Sequence, residues 1–231
     1  MTVFKAYDVR GKLGDELDGD IVYRIGRAFA KCLQARKVVV GRDIRASSEP
    51  FSIKLIEGLL LEGVDVLDLG LCGTEEMYHA TAYFDASGGI EVTASHNPIN
   101  YNGLKMVGKG AAPLDRTTQF NKIRECVQDN LLIDQPRGSY RLIKEEARST
   151  FVEKVLSFVD VTLFKPLTIL VDCGNGAVGP TFQAIVDSLD LMGSPIRFIY
   201  ENKNPDSTFP KGVPNQLIIE NQKRTQDKVL E

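Results

Sequence analysis

The strongest constraint on the fold is an alternation of two hydrophobic periodicities through the first half of the chain. Ile21, Val22, Ile25, Phe29, Cys32 and Leu33 recur at helical spacing, which predicts an amphipathic helix from about Asp20 to Ala35. Lys37-Val-Val-Val-Gly41 follows, a short apolar run ending in glycine that suits a strand buried on both faces. Ser47 and Ser48 are cap candidates with Pro50 in the first turn, and Phe51, Leu55, Ile56 and Leu59 continue a helix that Gly63 stops. A strand over Val64–Leu69, a helix near Glu75–Phe84 and a strand over Gly89–Thr93 repeat the pattern. Such repetition predicts an α/β fold, a mostly parallel mixed sheet sandwiched by helices. Asn102-Gly103 is a tight-turn signal between Ile99 and Leu104-Lys-Met-Val107 and predicts an added hairpin. A helix from about Asp115 to Asn130 would close this domain.

The polar, breaker-rich stretch Asp134–Ser139 reads as a linker. Beyond it, Phe151, Val152, Val155, Leu156 and Val159 form a helical stripe, Leu167–Asp172 a buried strand, Pro180–Leu189 a helix and Ile196–Tyr200 another strand. A loop-like stretch then leads to a polar helix from about Leu217. Two strands with their helices do not complete a doubly wound domain, so residues 1–143 are expected to form a first domain and 144–231 an incomplete second one.

Composition removes several function classes. Lys plus Arg is 28 against 31 Asp plus Glu, a net charge of −3, which disfavours nucleic acid as a partner. No apolar run approaches the roughly 20 residues needed to cross a bilayer, and Met1–Asp8 has no leader pattern, so no membrane association is expected. Four scattered cysteines (Cys32, Cys72, Cys126, Cys173) without a Cys-x-x-Cys pair suit a cytoplasmic setting with reduced thiols. No Cys/His set at ligand spacing is present, and the carboxylates are dispersed along the chain, with none read as a divalent-ion site.

The best candidate for chemistry is Thr93-Ala-Ser95-His96-Asn97-Pro98, directly after a predicted strand, where ligands gather in open α/β sheets. Ser95 is a potential nucleophile needing a base or a metal, and a hairpin would fold Lys105 back toward it. A polar serine turn with a solvated lysine accounts for the same residues. Arg42, in Gly41-Arg-Asp43, falls at the same rim, and Arg10, in Tyr7-Asp-Val-Arg10-Gly11, precedes the first helix. Guanidinium groups there suit phosphate, while surface salt bridges with Asp8 or Asp43 are the plain alternative. A rival signal is Gly174-Asn-Gly-Ala-Val-Gly179, a G-x-G-x-x-G match after a strand, with Glu201 placed as for a dinucleotide's ribose. A glycine turn chosen for positive φ and close packing explains it equally.

Thr93-Ala-Ser95-His-Asn-Pro98 with Asn102-Gly-Leu-Lys105, supported by Tyr7-Asp-Val-Arg10-Gly11, Gly41-Arg-Asp43, Gly73-Thr-Glu-Glu76 and Asp172-Cys-Gly-Asn-Gly176, resembles the N-terminal portion of the α-D-phosphohexomutase family, in its phosphomannomutase branch. The resemblance runs from Phe4 essentially to the end and implies interconversion of mannose 6-phosphate and mannose 1-phosphate, with Ser95 carried as a phosphoserine. It implies that Lys105 is the general acid/base, with Arg10 and His96 as further catalytic groups, Tyr7, Arg42 and Asn97 as substrate-binding residues, and hexose 1,6-bisphosphate as activator. It also implies a Mg²⁺ bridged to the Ser95 phosphate, whose three aspartate ligands belong to a family loop not found in these residues. From this come the expectations that the 231-residue chain alone is weak or inactive, and that it forms a homodimer or associates with a C-terminal half. A non-catalytic phosphosugar-binding or partner-binding module is the alternative, and under the resemblance the Gly174–Gly179 match becomes a structural turn.

Overall fold

The computed structural model describes residues 2–129, 138–215 and 217–230. They separate into two compact units, Met1–Ala147 and Arg148–Glu231. The expected linker over 134–139 falls, up to residue 137, outside the described residues, as does the predicted helix end at Asn130.

In the first unit the chain runs β1 (Val9–Lys12), α1 (Gly19–Leu33), β2 (Lys37–Arg42), α2 (Ser48–Leu61), β3 (Asp65–Leu71), α3 (Thr74–Tyr83), β4 (Gly88–Val92), β5 (Tyr101–Gly108), α4 (Asn121–Asp129) and β6 (Tyr140–Leu142). The six strands form one sheet in the order β1-β5-β4-β2-β3-β6. Pairs β2–β3, β2–β4 and β3–β6 are parallel, whereas β5 lies antiparallel to both β4 and β1, the expected mostly parallel mixed sheet. α1 starts where predicted because Asp18 accepts the Ile21 N–H at 2.8 Å, satisfying one of the free donors of the first turn.

Alternate residues of the central strands feed two cores. Val38, Val40, Ile90, Val92 and Leu104 pack with α1, α2 and α4, among them Phe29, Leu55 and Ile123. Val39, Leu69 and Val107 pack on the other face with Met77 and Ala80 of α3. This two-sided burial explains the unbroken valine run of β2.

The β4–β5 connection and the start of α4 depart from the sequence reading, and β6 adds an edge strand that it does not include. The connection from β4 to β5 is the loop 93–100, and Asn102-Gly103 lies inside β5 instead of forming the turn. Asn102 is spent on other contacts: its amide donates to Ser47 Oγ at 2.7 Å and Ser48 Oγ at 3.0 Å, and its own Oδ1 accepts the Gly103 N–H. Gly103 is required because a Cβ there would strike the Val9 carbonyl of the paired strand β1. The predicted helix from Asp115 begins instead with a single π-helical turn, Arg116–Phe120, capped by Asp115 accepting the Thr118 N–H at 2.7 Å.

α5 (Lys144–Leu156) carries the chain into the second unit, where β7 (Leu167–Asp172) and β8 (Ile196–Glu201) pair in parallel. α6 (Val178–Leu191) connects them, and α7 (Ile219–Leu230) follows after a long loop. No helix among the described residues is long and apolar enough to cross a membrane.

Candidate functional site

The carboxyl ends of β2 and β4 lie side by side, so the segments leaving them, 43–47 and 93–100, meet at one rim of the sheet. Ser95 sits in the second segment with φ +52°, a left-handed conformation uncommon for a residue with a Cβ. Its side chain is exposed, and its Oγ is 3.3 Å from His96 Nδ1.

Beneath the serine lies a polar frame. The Ser95 N–H donates to Thr93 Oγ1 at 2.9 Å, and Thr93 Oγ1 donates to Asp43 Oδ2 at 2.7 Å. Asp43 Oδ1 also accepts the Arg45 N–H at 2.9 Å and the Ser48 hydroxyl. The Arg45 guanidinium donates to the carbonyls of Ser95 (2.9 Å), Asn97 (2.6 Å), Pro98 (2.9 Å) and Tyr101 (3.2 Å). Burial lowers the Arg45 pKa, with Asp43 opposing that shift.

The sheet register brings further candidates to this end. Arg10 pairs with Gly103, and Lys105 lies two residues on along β5, so both project from one face. Arg10 Nη1 donates to the Thr93 carbonyl at 3.2 Å while its other nitrogen pairs with Asp8. Lys105 stands opposite Glu91, which is 1% exposed and accepts from the Cys72 thiol at 3.4 Å. Burial pushes the Glu91 carboxyl well above the usual carboxylate range, and Asp43 and Glu76 push it further. Ser95, His96 and Arg10 are therefore gathered at one rim, with Lys105 on the Arg10 face.

The remaining predicted residues have other neighbours. Tyr7 is 79% exposed, with the Arg116 guanidinium 6.0 Å from its ring centre. Arg42 turns to Glu49 at 3.2 Å, into a groove between α2 and the β3–β6 edge of the sheet. Asn97 donates its side-chain amide to the Ala94 carbonyl at 2.9 Å, closing the loop on itself. Asp43, Arg45, Thr93 and Asn102, which sequence reasoning missed as site builders, supply most of the frame. The available signal was Asp43-Ile-Arg45, two charges at alternate positions directly after a buried strand.

The residues present do not make a Mg²⁺ site. Among the described residues no group of three or more His, Cys, Asp or Glu side chains could hold a metal, and Asp43, the carboxylate of the frame, is already engaged by Thr93, Ser48 and Arg45.

In the second unit, Gly174 has φ +58° and packs against Pro214, while a Cβ at Gly179 would strike the Lys203 backbone. Asp172 accepts from the Gly174 N–H and from the Asn202 amide, both at 2.9 Å. The glycines thus serve a turn covered by Pro214, where a dinucleotide's phosphates would have to approach.

A family profile described as phosphoglucomutase/phosphomannomutase, alpha/beta/alpha domain I, matches residues 1–133. The chain is 44% identical over 234 aligned residues to a phosphomannomutase of Salmonella montevideo, an alignment covering 100% of this chain and 51% of that protein. It is 42% identical over 233 aligned residues to a phosphomannomutase of Escherichia coli strain K12, again covering 100% of this chain and 51% of the relative. A crystal structure of a phosphoglucomutase/phosphomannomutase family protein from Burkholderia thailandensis superposes with a TM-score of 0.85 at 31% identity, over 99% of this chain and 50% of that one. The chain spans about half the length of the relatives it matches.

Proposed function

The chain belongs to the phosphoglucomutase/phosphomannomutase family, and from that premise we propose that it carries the transferable phosphoryl group of a phosphohexomutase, on Ser95. The observation that carries this reading is an exposed serine hydroxyl on a backbone fixed from below, at the strand-end rim where α/β sheets bind ligands.

In the proposed reaction, mannose 6-phosphate attacks phosphoserine through its 1-hydroxyl. The Ser95 Oγ–P bond breaks, a sugar O–P bond forms, and the hydroxyl proton passes by way of Lys105 to the Ser95 oxygen. The product is mannose 1,6-bisphosphate. After the sugar reorients, Ser95 Oγ attacks its 6-phosphoryl group, the sugar O–P bond breaks, and the Ser95 hydroxyl proton passes by way of Lys105 to the departing oxygen. Mannose 1-phosphate leaves and phosphoserine is regenerated, so atoms and protons balance over the cycle. Glucose phosphates have the same functional groups and fit the same scheme. Hexose 1,6-bisphosphate acts as activator by phosphorylating a bare Ser95.

Phosphoryl transfer depends on positioning and on charge near the transferring group. These residues offer Arg10, His96 and Lys105 for that charge. No step is assigned to Mg²⁺, because the described residues assemble no ligand set for it. We therefore propose slow turnover by the 231 residues alone, raised by a polypeptide that adds the rest of a relative's length.

The test is a coupled assay with mannose 1-phosphate and a trace of hexose 1,6-bisphosphate, with and without Mg²⁺. Weak turnover abolished by Ser95→Ala, and increased by the C-terminal half of a phosphomannomutase relative, is expected. Turnover that survives Ser95→Ala would refute the assignment. Binding of mannose 1-phosphate with no turnover, alone or with the added half, would favour a non-catalytic phosphosugar-binding module instead.

A further inference from the structure

Ser95 holds a left-handed backbone conformation that is strained for a residue with a Cβ and persists only where its surroundings over-determine it. The surroundings here are unequal. The Thr93 hydroxyl takes the Ser95 N–H, and Arg10 takes the Thr93 carbonyl at the start of the loop. Arg45 makes the most contacts. It is 2% exposed, and its two terminal nitrogens each take two carbonyls, Ser95 with Asn97 and Pro98 with Tyr101.

We propose that Arg45 is the positioning residue for phosphoryl transfer: its planar fork holds the carbonyls on both sides of the loop and thereby presents the Ser95 hydroxyl outward.

This inference rests on the proposed role of Ser95 and adds the device that aims it. Charge alone does not do the work, since Arg45 Nε lies 3.4 Å from Asp43 and the loop offers carbonyl dipoles, not carboxylates. The requirement is geometric. A guanidinium presents donors from separate nitrogens in one plane, whereas an ammonium presents all of its donors from one atom. Lysine at position 45 could reach some of these carbonyls but could not span them in one plane. Asp43 orients the fork from behind while accepting from Thr93, so one carboxylate ties both ends of the serine segment to the end of β2.

The experiment uses the whole chain with Arg45→Lys and Arg45→Met. Amide hydrogen exchange is read at Ser95, Asn97 and Tyr101, whose N–H groups are bonded within the loop, and at β2 and β4 as a measure of the fold. Single-turnover phosphorylation of Ser95 by hexose 1,6-bisphosphate is followed on the same samples. Exchange at the three loop amides is expected to rise about tenfold or more in both variants while β2 and β4 keep their protection. Phosphorylation is expected to slow about 100-fold with the half-saturating bisphosphate concentration unchanged, because a displaced nucleophile loses rate without losing ligand affinity.

Wild-type loop protection, or a wild-type phosphorylation rate, in a folded Arg45→Lys chain would overturn the proposal. So would a uniform loss of protection through β2 and β4 in both variants, which would make Arg45 a support of the whole core. A wild-type chain that accepts no phosphoryl group counts against the role of Ser95, and the exchange measurement then still decides whether Arg45 holds the loop.

Discussion

Thr93→Val tests the frame beneath the serine with almost no change of shape. The Thr93 hydroxyl is buried, donates to the Asp43 carboxylate at 2.7 Å and accepts the Ser95 N–H at 2.9 Å. A hydrogen bond to a charged group contributes about 1.5–3 kcal/mol and one between neutral groups about 0.5–1.5 kcal/mol. Valine fills the same space, so no cavity forms, but it leaves the Ser95 N–H and one side of Asp43 without that partner. The expected loss is about 2–4 kcal/mol of first-unit stability. Exchange of the most protected amides of β2 and β4 reads this directly, and it should accelerate about 30- to 700-fold. Thr93→Ser keeps the hydroxyl and loses one methyl, so it should cost about 1 kcal/mol. An acceleration below about threefold in Thr93→Val would refute the view that this hydroxyl ties the loop to the sheet.

Two further predictions concern titrating groups that burial shifts. Burial holds the Glu91 proton well above the ordinary value of 4.5. Below that value both folded and unfolded chains carry the proton. As pH rises past it the unfolded chain ionises first, so folding loses stability until the folded carboxyl ionises too. Glu91→Gln removes that loss, and its melting temperature relative to wild type should climb as pH rises above about 5; parallel curves would contradict the raised Glu91 pKa. Cys32 has its thiol pKa pushed up to about 12, first by burial and then by the Cys126 sulfur 3.3 Å away. Its alkylation by iodoacetamide, followed by peptide mass spectrometry, should rise about tenfold per pH unit from pH 7 to 10, and a plateau near pH 8 would contradict the shift.

Burial explains which parts of the fold were legible in the sequence. Val38, Val39 and Val40 cover two cores at once, and Val22, Ile25 and Phe29 line one helix face, so β2 and α1 were readable from hydrophobic pattern alone. β6 was missed because Tyr140-Arg-Leu142 is three exposed residues held at the sheet edge by its pairing with β3. Asn102-Gly103 has turn chemistry, yet its amide is used by Ser47 and Ser48 and its glycine by the approach of β1, contacts set by residues far away in the chain.

At the candidate site, Ser95, His96 and Lys105 were readable because their residue types carry chemistry. Arg45 and Asp43 were not, because in sequence they resemble any surface ion pair. Only the fold reveals that Arg45 is buried under four carbonyls. The glycine-rich turn shows the opposite case: a motif with the right spacing whose glycines are explained by Pro214 and the Lys203 backbone.

Exposing the chain to hexose 1,6-bisphosphate, quenching, and locating any bound phosphoryl group by peptide mass spectrometry tests whether Ser95 is the phosphoryl carrier. One phosphoryl group is expected, on Ser95, absent from Ser95→Ala and lost from the wild-type chain when mannose 6-phosphate is added. An unmodified chain, or equal labelling of Ser95→Ala, would contradict that role.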